Sequence, residues 1–318
     1  MLRILVVAPN WIGDALMAQP LLARLREKLP GAEIDVLAPE WVAAVARRMP
    51  EVSKVITSPF QHGALQLRSR WKLGRALKSH GYEQAIVLPN TWKSALVPFF
   101  ADIRLRSGYV GESRYGLLNL LYKKQPAAMA LHYARLSEAP GKAPKEPLPA
   151  PRLRAEAGEV AAATRRFGLE GRYAVLCPGA EYGPAKRWPY FKELAQRLGM
   201  QVVLLGSGND RETSAGIAGN NLIGKTTLDE AIELIAGAAL VVSNDSGLMH
   251  IAAALGRPQV ALFGSSSPEH TPPASPAARV VWLHLDCSPC YARECPLGHF
   301  RCMKDMSVER VLAEIRAL

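Results

Sequence analysis

Short apolar runs alternate with amphipathic segments in the first half of this 318-residue chain. The apolar runs have the length and the branched side chains of buried strands, and they stand at residues 2–8, 33–38, 53–57 and 84–88. Helical periodicity follows them, to about residue 29 and then near 40–48 and 68–80. Pro20 is compatible with the first helical segment only near a first turn. This alternation predicts a doubly wound parallel sheet.

A second, similar series follows a break at residues 137–151, where Pro, Ala, Gly and charged residues replace the apolar periodicity. Strands are predicted at 173–176, 202–205, 240–242, 260–263 and 280–283. Helices are predicted near 189–199, 211–218, 228–237 and 247–255. We therefore expect two α/β domains facing a cleft, residues 1–155 and 156–305, and a last helix at 306–318 that could cross back onto the first domain.

Composition argues against a membrane-spanning or secreted protein. Hydrophobic residues make up 49% of the chain and charged residues 21%, which is typical of a soluble globular enzyme. No uncharged apolar run reaches the length of about 18 residues that a spanning helix needs. The N-terminal apolar run is short and ends at Pro9, so it lacks the plan of a secretory signal. We expect a cytoplasmic protein.

The net charge of +11 is concentrated in the first half of the chain. Residues 1–160 hold 23 Lys and Arg against 13 Asp and Glu, whereas residues 161–318 hold 16 against 15. The clusters are Arg68, Arg70, Lys72, Arg75 and Lys78, then Arg104, Arg106, Arg114, Lys123 and Lys124. A one-sided basic field favours an anionic membrane or a phosphorylated substrate, although the same residues could form a solvated helix face. Nucleic acid is disfavoured because no nucleic-acid-binding motif is present.

The segment 241–263 carries the clearest candidate site. A polar elbow, Asn244 to Gly247, joins a buried strand to a small-residue helix and a second buried strand. Asp245 or Ser246 can cap the helix, Gly247 permits a close approach, and the helix N-terminus suits a phosphate. His250 lies one turn further on the same side. The alternative is an ordinary capped helix.

Two other strand ends carry candidate chemistry, since ligands of open α/β sheets bind at the carboxyl ends of strands. After the first strand, Gly13 permits a tight turn, and Asp14 could cap a helix or serve as a general base. In the second half, a loop that begins at Cys177 leads to Lys186 and Arg187, which suit a diphosphate. The alternative for that loop is a plain connection to a helix that begins with proline.

The C-terminal region holds four of the five cysteines, Cys287, Cys290, Cys295 and Cys302, with His299 among them. A cytoplasmic location argues against structural disulfides. The first pair has zinc-ligand spacing, but the later spacing follows no standard repeat. Structural zinc and reduced thiols that pack a loop are the two interpretations, and we favour the second.

Four segments together resemble the lipopolysaccharide heptosyltransferases of glycosyltransferase family 9: 9–22 (PNWIGDALMAQPLL), 177–189, 244–268 and 287–303. The resemblance spans nearly the whole chain, in the family's motif order. The opening and the cysteine-rich segment favour the members that add the second heptose. The resemblance implies a GT-B fold of two Rossmann-like domains, with the acceptor on the N-terminal domain and the nucleotide sugar on the C-terminal domain.

The resemblance also implies roles for individual residues. Asp14 matches the catalytic base, and Lys186 matches the lysine that contacts the diphosphate and sugar of ADP-heptose. The remaining implied donor-binding residues are Asp245, Ser246, Gly247, His250, Glu212, Gly179 and Glu181. The predicted acceptor-binding residues are Asn10 and Gly13 in the matching first segment. To these we add Arg68, Arg70 and Lys72, because their positive charge would suit Kdo carboxylates, phosphates or the inner-leaflet surface.

The implied reaction is an inverting transfer of L-glycero-D-manno-heptose from ADP-heptose to the first heptose of the lipopolysaccharide inner core. Its acceptor would be a lipid-anchored heptosyl-Kdo-lipid A, met at the cytoplasmic face of the inner membrane. No metal or other cofactor is expected, since the chain has no Asp-x-Asp. The alternatives are heptosyltransferase I or another GT-B nucleotide-sugar enzyme, and a non-enzymatic nucleotide- or polyanion-binding protein. A nicotinamide oxidoreductase is disfavoured because the first strand-to-helix turn lacks a glycine triplet.

Overall fold

All four strands predicted in the first half are present in the computed structural model, which describes residues 2–61 and 63–318. They are β1 (Arg3–Val7), β2 (Glu33–Pro39), β3 (Lys54–Ser58) and β4 (Gln84–Val87). Two further strands, β5 (Leu105–Tyr109) and β6 (Leu120–Tyr122), extend the sheet. Every pairing is parallel, in the order β3-β2-β1-β4-β5-β6.

The helices of this first unit lie close to their predicted positions, with one break. They are α1 (Ile12–Met17), α2 (Gln19–Lys28), α3 (Glu40–Arg47), α4 (Leu67–Leu77), α5 (Leu96–Phe100) and α6 (Met129–Ala134). The single helix predicted after β1 is divided at Ala18, which places Pro20 at the second position of α2. A first turn tolerates proline because its N–H would have no partner inside the helix. Sequence patterns did not reveal α5, α6, β5 or β6.

The second unit repeats this plan. Its strands are β7 (Tyr173–Cys177), β8 (Gln201–Leu204), β9 (Asn220–Asn221), β10 (Leu240–Asn244), β11 (Gln259–Phe263) and β12 (Ala278–Trp282). Its helices are α7 (Ala157–Arg166), α8 (Phe191–Arg197), α9 (Leu228–Gly237), α10 (Gly247–Ala254), α11 (Arg301–Lys304) and α12 (Val308–Arg316). The helix predicted at 211–218 is wrong. Short 3₁₀ turns occupy Gly208–Asp210 and Glu212–Ser214, and the chain turns away at Gly216, where φ is +73°.

Both sheets have the same strand order relative to their own sequence, since the second reads β12-β11-β10-β7-β8-β9. In each sheet the order in which strands are added therefore reverses next to the first strand, between β1 and β4 in the first sheet and between β7 and β10 in the second. A crevice forms at such a reversal, beyond the carboxyl ends of the strands, and ligands bind there. The predicted doubly wound α/β class is confirmed for both units. The predicted elbow follows β10, and the predicted Asp14 turn follows β1.

The chain divides into a first unit that ends at Pro151 and a second unit, Arg152–Leu318. The C-terminal helix α12 buries Val308, Val311 and Leu312 in the core of the second unit, where it packs on β11, β12 and α8. The sequence had suggested that 306–318 packs on the first domain instead. That suggestion stays a prediction; the apolar face of α12 lies beside β12, within the second unit. Among the described residues, no helix is long and apolar enough to cross a bilayer.

The packing of α4 on α5 depends on Gly74. A Cβ added there would lie 2.5 Å from the Cβ of Phe100 and 2.8 Å from the carbonyl oxygen of Val97. We expect Gly74→Ala to force the helices apart and to lower the free energy of unfolding by about 1–3 kcal/mol. Urea titration followed by circular dichroism measures this change.

Gly158 of α7 is the matched control, because a Cβ there meets nothing within 4 Å. Gly158→Ala should leave the unfolding midpoint unchanged or raise it slightly, since alanine favours helix by roughly 0.5–1 kcal/mol. Equal midpoints for the two variants would refute the tight α4–α5 contact.

Candidate functional site

Asp245 is the centre of a cluster at the carboxyl end of β10. Its side chain is almost completely buried, and its Oδ2 accepts hydrogen bonds from Lys186 Nζ and Ser266 Oγ, each at 2.5 Å. Lys186 and Asp245 therefore form a nearly buried ion pair. The structure thus brings together two residues that the sequence had singled out. Ser266, which follows β11, was missed.

The start of α10 differs from the expected capped helix. Ser246 occupies the N-cap position, but among the described residues no side chain accepts a hydrogen bond from the first turn of α10. The Ser246 hydroxyl instead lies 3.1 Å from that of Ser243. The idea that Asp245 or Ser246 caps this helix is therefore wrong, because Asp245 is committed to Lys186 and Ser266. The N–H groups that begin at Gly247 stay available for an anion.

Lys186 is held over an aromatic ring. It ends a 3₁₀ turn at Pro184–Lys186, and its ammonium lies 4.8 Å from the ring centroid of Tyr182. The guanidinium of Arg293 lies 5.1 Å from the same centroid. Two cations on one ring, beside the N-terminus of α10, form a compact positive region that suits a diphosphate.

Asn244, the last residue of β10, fixes the loop that carries Lys186. Its buried amide donates to the carbonyl oxygen of Pro178 at 2.8 Å and accepts from the N–H of Trp188 at 3.1 Å. One side chain thus ties both ends of the loop to the strand. The sequence contained this residue inside the elbow, but nothing in the local pattern indicated its partners.

The other predicted donor-side residues have different surroundings. A Cβ at Gly179 would lie 2.1 Å from the carboxyl carbon of Asp210, so this glycine admits a buried carboxylate of the protein. Asp210 Oδ2 accepts from the N–H and the hydroxyl of Ser207. Glu181 and Glu212 are exposed, and among the described residues neither carboxylate has a hydrogen-bond partner.

His250 is buried beneath the ion pair. Burial lowers the pKa of its imidazole to about 4; Asp245 opposes this shift, and Lys186 adds to it. His250 is therefore neutral at pH 7. The placement of an uncharged imidazole next to the pair leaves Lys186 as the cation of this cluster.

In the first unit, Asp14 lies in the first turn of α1 and is partly exposed. The buried hydroxyl of Tyr133 on α6 has a raised pKa, first because of burial and then because of the negative charge of Asp14. Asp14 is therefore within electrostatic range of Tyr133. Gly13 precedes it in the same turn, and the carbonyl oxygen of Asn10 accepts from Trp41 Nε1 at 2.7 Å.

The three basic residues predicted on α4 do not share one environment. Arg68 and Lys72 are exposed, but Arg70 is buried, with its guanidinium 4.0 Å from the ring centroid of Phe60. Arg70 also donates to the carbonyl oxygen of Leu65 at 2.6 Å. Arg70 is thus removed from the predicted exposed basic face, because its donors are used to hold the loop before α4. Burial lowers the pKa of its guanidinium.

Known proteins are similar to this chain over its full length. The family model for glycosyltransferase family 9 (heptosyltransferase) matches residues 70–301. The chain belongs to this family. It is 43% identical to lipopolysaccharide heptosyltransferase 2 of Escherichia coli strain K12, over 100% of this chain and 98% of the relative. It is 40% identical to lipooligosaccharide heptosyltransferase 2 of Haemophilus ducreyi, over 100% and 99%.

The solved structure of the E. coli ADP-heptose LPS heptosyltransferase II shares the fold of this chain. The TM-score is 0.89 at 40% identity, and the match covers 99% of this chain and 98% of that one. The predicted family and the two Rossmann-like units of the GT-B class are confirmed. The protein is a glycosyltransferase.

The cysteine-rich segment of this glycosyltransferase contacts the loops around Asp245. Tyr291 donates its N–H to the carbonyl oxygen of Ser265 at 2.7 Å and accepts from the Tyr182 hydroxyl at 2.5 Å. All five cysteines are free. In the described part of the chain, no three His, Cys, Asp or Glu side chains are grouped to hold a metal ion. The segment therefore braces the loop of Lys186.

The neutral state of His250 predicts how stability depends on pH. The folded pKa of about 4 lies below the usual unfolded value of about 6.5, so the unfolded chain takes up the proton first. Stability from the neutral imidazole is complete above pH 6.5 and is lost as the pH falls towards 4. Because of His250, the free energy of unfolding of the unmodified protein should fall by roughly 2–3 kcal/mol between pH 6.5 and pH 4. We expect His250→Gln to abolish this part of the decrease.

Urea unfolding at several pH values between 4 and 7 measures this effect. His270→Gln, at a partly exposed position, controls for the loss of a histidine elsewhere. A His250→Gln protein with the same pH dependence as the unmodified protein would contradict the buried neutral imidazole.

Proposed function

We propose that this glycosyltransferase moves L-glycero-D-manno-heptose from ADP-heptose to the first heptose of the lipopolysaccharide inner core, with inversion at the anomeric carbon. Full-length identity of 43% to an E. coli protein named lipopolysaccharide heptosyltransferase 2 supports the choice of reaction. The cluster of Lys186, Asp245 and Ser266 at the start of α10 is the observation that carries the proposal, because it suits a sugar diphosphate.

The second unit binds the donor in this proposal. Lys186 and the N–H groups at Ser246 and Gly247 hold the diphosphate. Among the described residues, Asp245 has protein partners only at Oδ2, so Oδ1 is available to accept from a heptose hydroxyl. Four further residues complete the proposed donor site: His250 beneath the pair, Gly179 and Glu181 on the β7 loop, and Glu212 for the nucleoside.

The first unit binds the acceptor, and Asp14 is the general base. Asp14 takes the proton from the acceptor hydroxyl. At the same time the hydroxyl oxygen of the acceptor attacks the anomeric carbon on the face opposite ADP. The new glycosidic bond forms as the bond to the diphosphate oxygen breaks, so one displacement inverts the configuration. ADP leaves with the bonding electrons, and Lys186 and the helix N-terminus stabilise its charge. Asn10 and Gly13 border the acceptor hydroxyl.

The excess positive charge of the first unit has a role in this scheme. Arg68 and Lys72 are exposed on α4, and the acceptor is a lipid-anchored, anionic heptosyl-Kdo-lipid A. We propose that these two residues attract its charged groups at the cytoplasmic face of the inner membrane.

A mass measurement tests the reaction. Incubation with ADP-heptose and a heptose-terminated acceptor should add one heptose, whereas an acceptor that lacks the first heptose should stay unchanged. Product from the second acceptor alone would assign the protein to the first transfer. Activity only with other nucleotide sugars would indicate a different GT-B enzyme.

Two variants separate chemistry from donor binding in this assay. Asp14→Asn should lower kcat by roughly 10²–10⁴-fold, because the amide cannot accept the proton, while ADP binding measured by calorimetry stays unchanged. Lys186→Met should weaken ADP binding at least tenfold, since a charge-assisted hydrogen bond is lost. A non-enzymatic binding protein would show no effect of Asp14→Asn on its function.

Charge reversal tests the exposed face of α4. The double variant Arg68→Glu, Lys72→Glu should raise the acceptor KM several-fold at low salt, and the difference should shrink at 1 M salt because the Debye length falls to about 3 Å. The KM for ADP-heptose should not change. Lys54→Glu with Arg104→Glu, at exposed positions outside α4, is the charge-matched control. If both pairs changed the acceptor KM equally, the net charge of the first unit, and not the position of Arg68 and Lys72 on α4, would explain the effect.

A further inference from the structure

A concave site opens in the first unit at the carboxyl ends of β5 and β6. Tyr109 and Tyr122, the last residues of these strands, lie in it and are buried. Its basic lining consists of Lys123, Arg135 and Lys142. No Asp or Glu is among the described residues that line this pocket. We call it the β5–β6 pocket.

The positive charges of the β5–β6 pocket have no anionic partner in the described part of the chain. Lys123 and Lys142 make no side-chain hydrogen bond there, and Arg135 donates only to the carbonyl oxygen of Gln125, at 3.2 Å. The nearby carboxylate of Glu138 is engaged by Lys28 at 2.5 Å. Three cations that converge without a counter-charge repel one another, and a bound anion would relieve that repulsion.

The tyrosine hydroxyls are not available as ligand donors in their present state. Tyr122 donates to the carbonyl oxygen of Glu138 at 2.5 Å, and Tyr109 donates to that of His132. The Tyr109 ring also stacks on His132, with 4.0 Å between the centroids. These bonds make the pocket floor rigid and leave recognition to the three cations.

The β5–β6 pocket lies on the same edge of the sheet as Asp14. In the strand order, β5 is two places from β1, which is about 10 Å at the usual strand spacing. Helix α6 links the two places, because His132 stacks on Tyr109 while Tyr133 feels the charge of Asp14.

We propose that the β5–β6 pocket binds a carboxylate or phosphate of the acceptor while Asp14 meets the accepting hydroxyl. This inference rests on the proposed function for the identity of the acceptor. Arg135 supplies a planar fork that fits two oxygens of such a group, and the two lysines supply point charges. The same chemistry would also bind the phosphate of a phospholipid headgroup, so the experiment has one arm for each source.

The first arm uses the triple variant Lys123→Gln, Arg135→Gln, Lys142→Gln. We expect the KM for an acceptor freed of its lipid chains to rise at least tenfold, because charge-assisted hydrogen bonds are lost, with the KM for ADP-heptose unchanged. Reduction of the acceptor's carboxylates, or removal of its phosphates, should raise the acceptor KM of the unmodified protein by a similar factor. The same chemical changes should have little further effect on the triple variant.

A matched control carries the same loss of three charges outside the pocket, at Lys54→Gln, Arg104→Gln and Lys124→Gln. It should keep the acceptor KM and its dependence on the acceptor's anionic groups. If both triple variants behaved alike, or if the pocket variant still distinguished charged from uncharged acceptors, the proposal would be overturned.

The second arm measures sedimentation with phosphatidylglycerol vesicles and with phosphatidylcholine vesicles. Loss of binding to the anionic vesicles by the pocket variant alone, with an unchanged KM for the delipidated acceptor, would assign the anion to a headgroup and overturn the acceptor assignment. Heptose transfer by the unmodified protein tests the proposed function separately. Vesicle binding needs no turnover, so failure of the reaction and failure of the pocket are distinguishable.

Discussion

The ion pair between Lys186 and Asp245 is the interaction on which the donor site depends. Both groups are largely removed from water, and this desolvation is unfavourable unless hydrogen bonds offset it. Ser266 supplies one such bond to the Asp245 carboxylate, and Asn244 fixes the loop of Lys186 against β10. A buried pair of this kind gives position rather than stability, since apolar residues of equal volume would often be as stable. Removal of either partner would leave a buried charge unpaired.

Much of the fold could be predicted from the sequence, because fully buried parallel strands are nearly continuous apolar runs. The failures have physical causes. β5 has only an exposed Leu105 and a half-buried Arg106 at its start, so it does not form an apolar run, and β6 is apolar but has only three residues. In place of the helix expected at 211–218, the chain forms 3₁₀ turns at Gly208–Asp210 and Glu212–Ser214, and the left-handed backbone of Gly216, with φ +73°, ends the helical run. The first of these turns also depends on a tertiary contact that local sequence does not show, because Asp210 packs closely against Gly179.

The candidate site was predictable where chemistry follows a strand end, and less so where it depends on the neighbouring strand. Asp245 and Lys186 follow β10 and β7, which are adjacent in the sheet, so their meeting follows from topology. Ser266 reaches Asp245 because β11 pairs with β10 on the other side. It is one of three consecutive serines, Ser265 to Ser267, and the sequence does not show which of them meets Asp245. Arg70 differs from Arg68 and Lys72 because Phe60 and the loop before α4 cover its guanidinium, a tertiary contact that the local sequence does not show.

The geometry of the pair also determines how a diphosphate can use it. An ammonium has three N–H donors, and Asp245 takes one of those on Lys186. The Tyr182 ring covers one side of the ammonium, so the remaining donors have restricted directions. Because His250 beneath it stays neutral, the imidazole adds no positive charge that would repel Lys186. Asp245 thus orients the lysine without consuming it, and the uncapped N–H groups of α10 complete a region of positive potential that exists before any nucleotide binds.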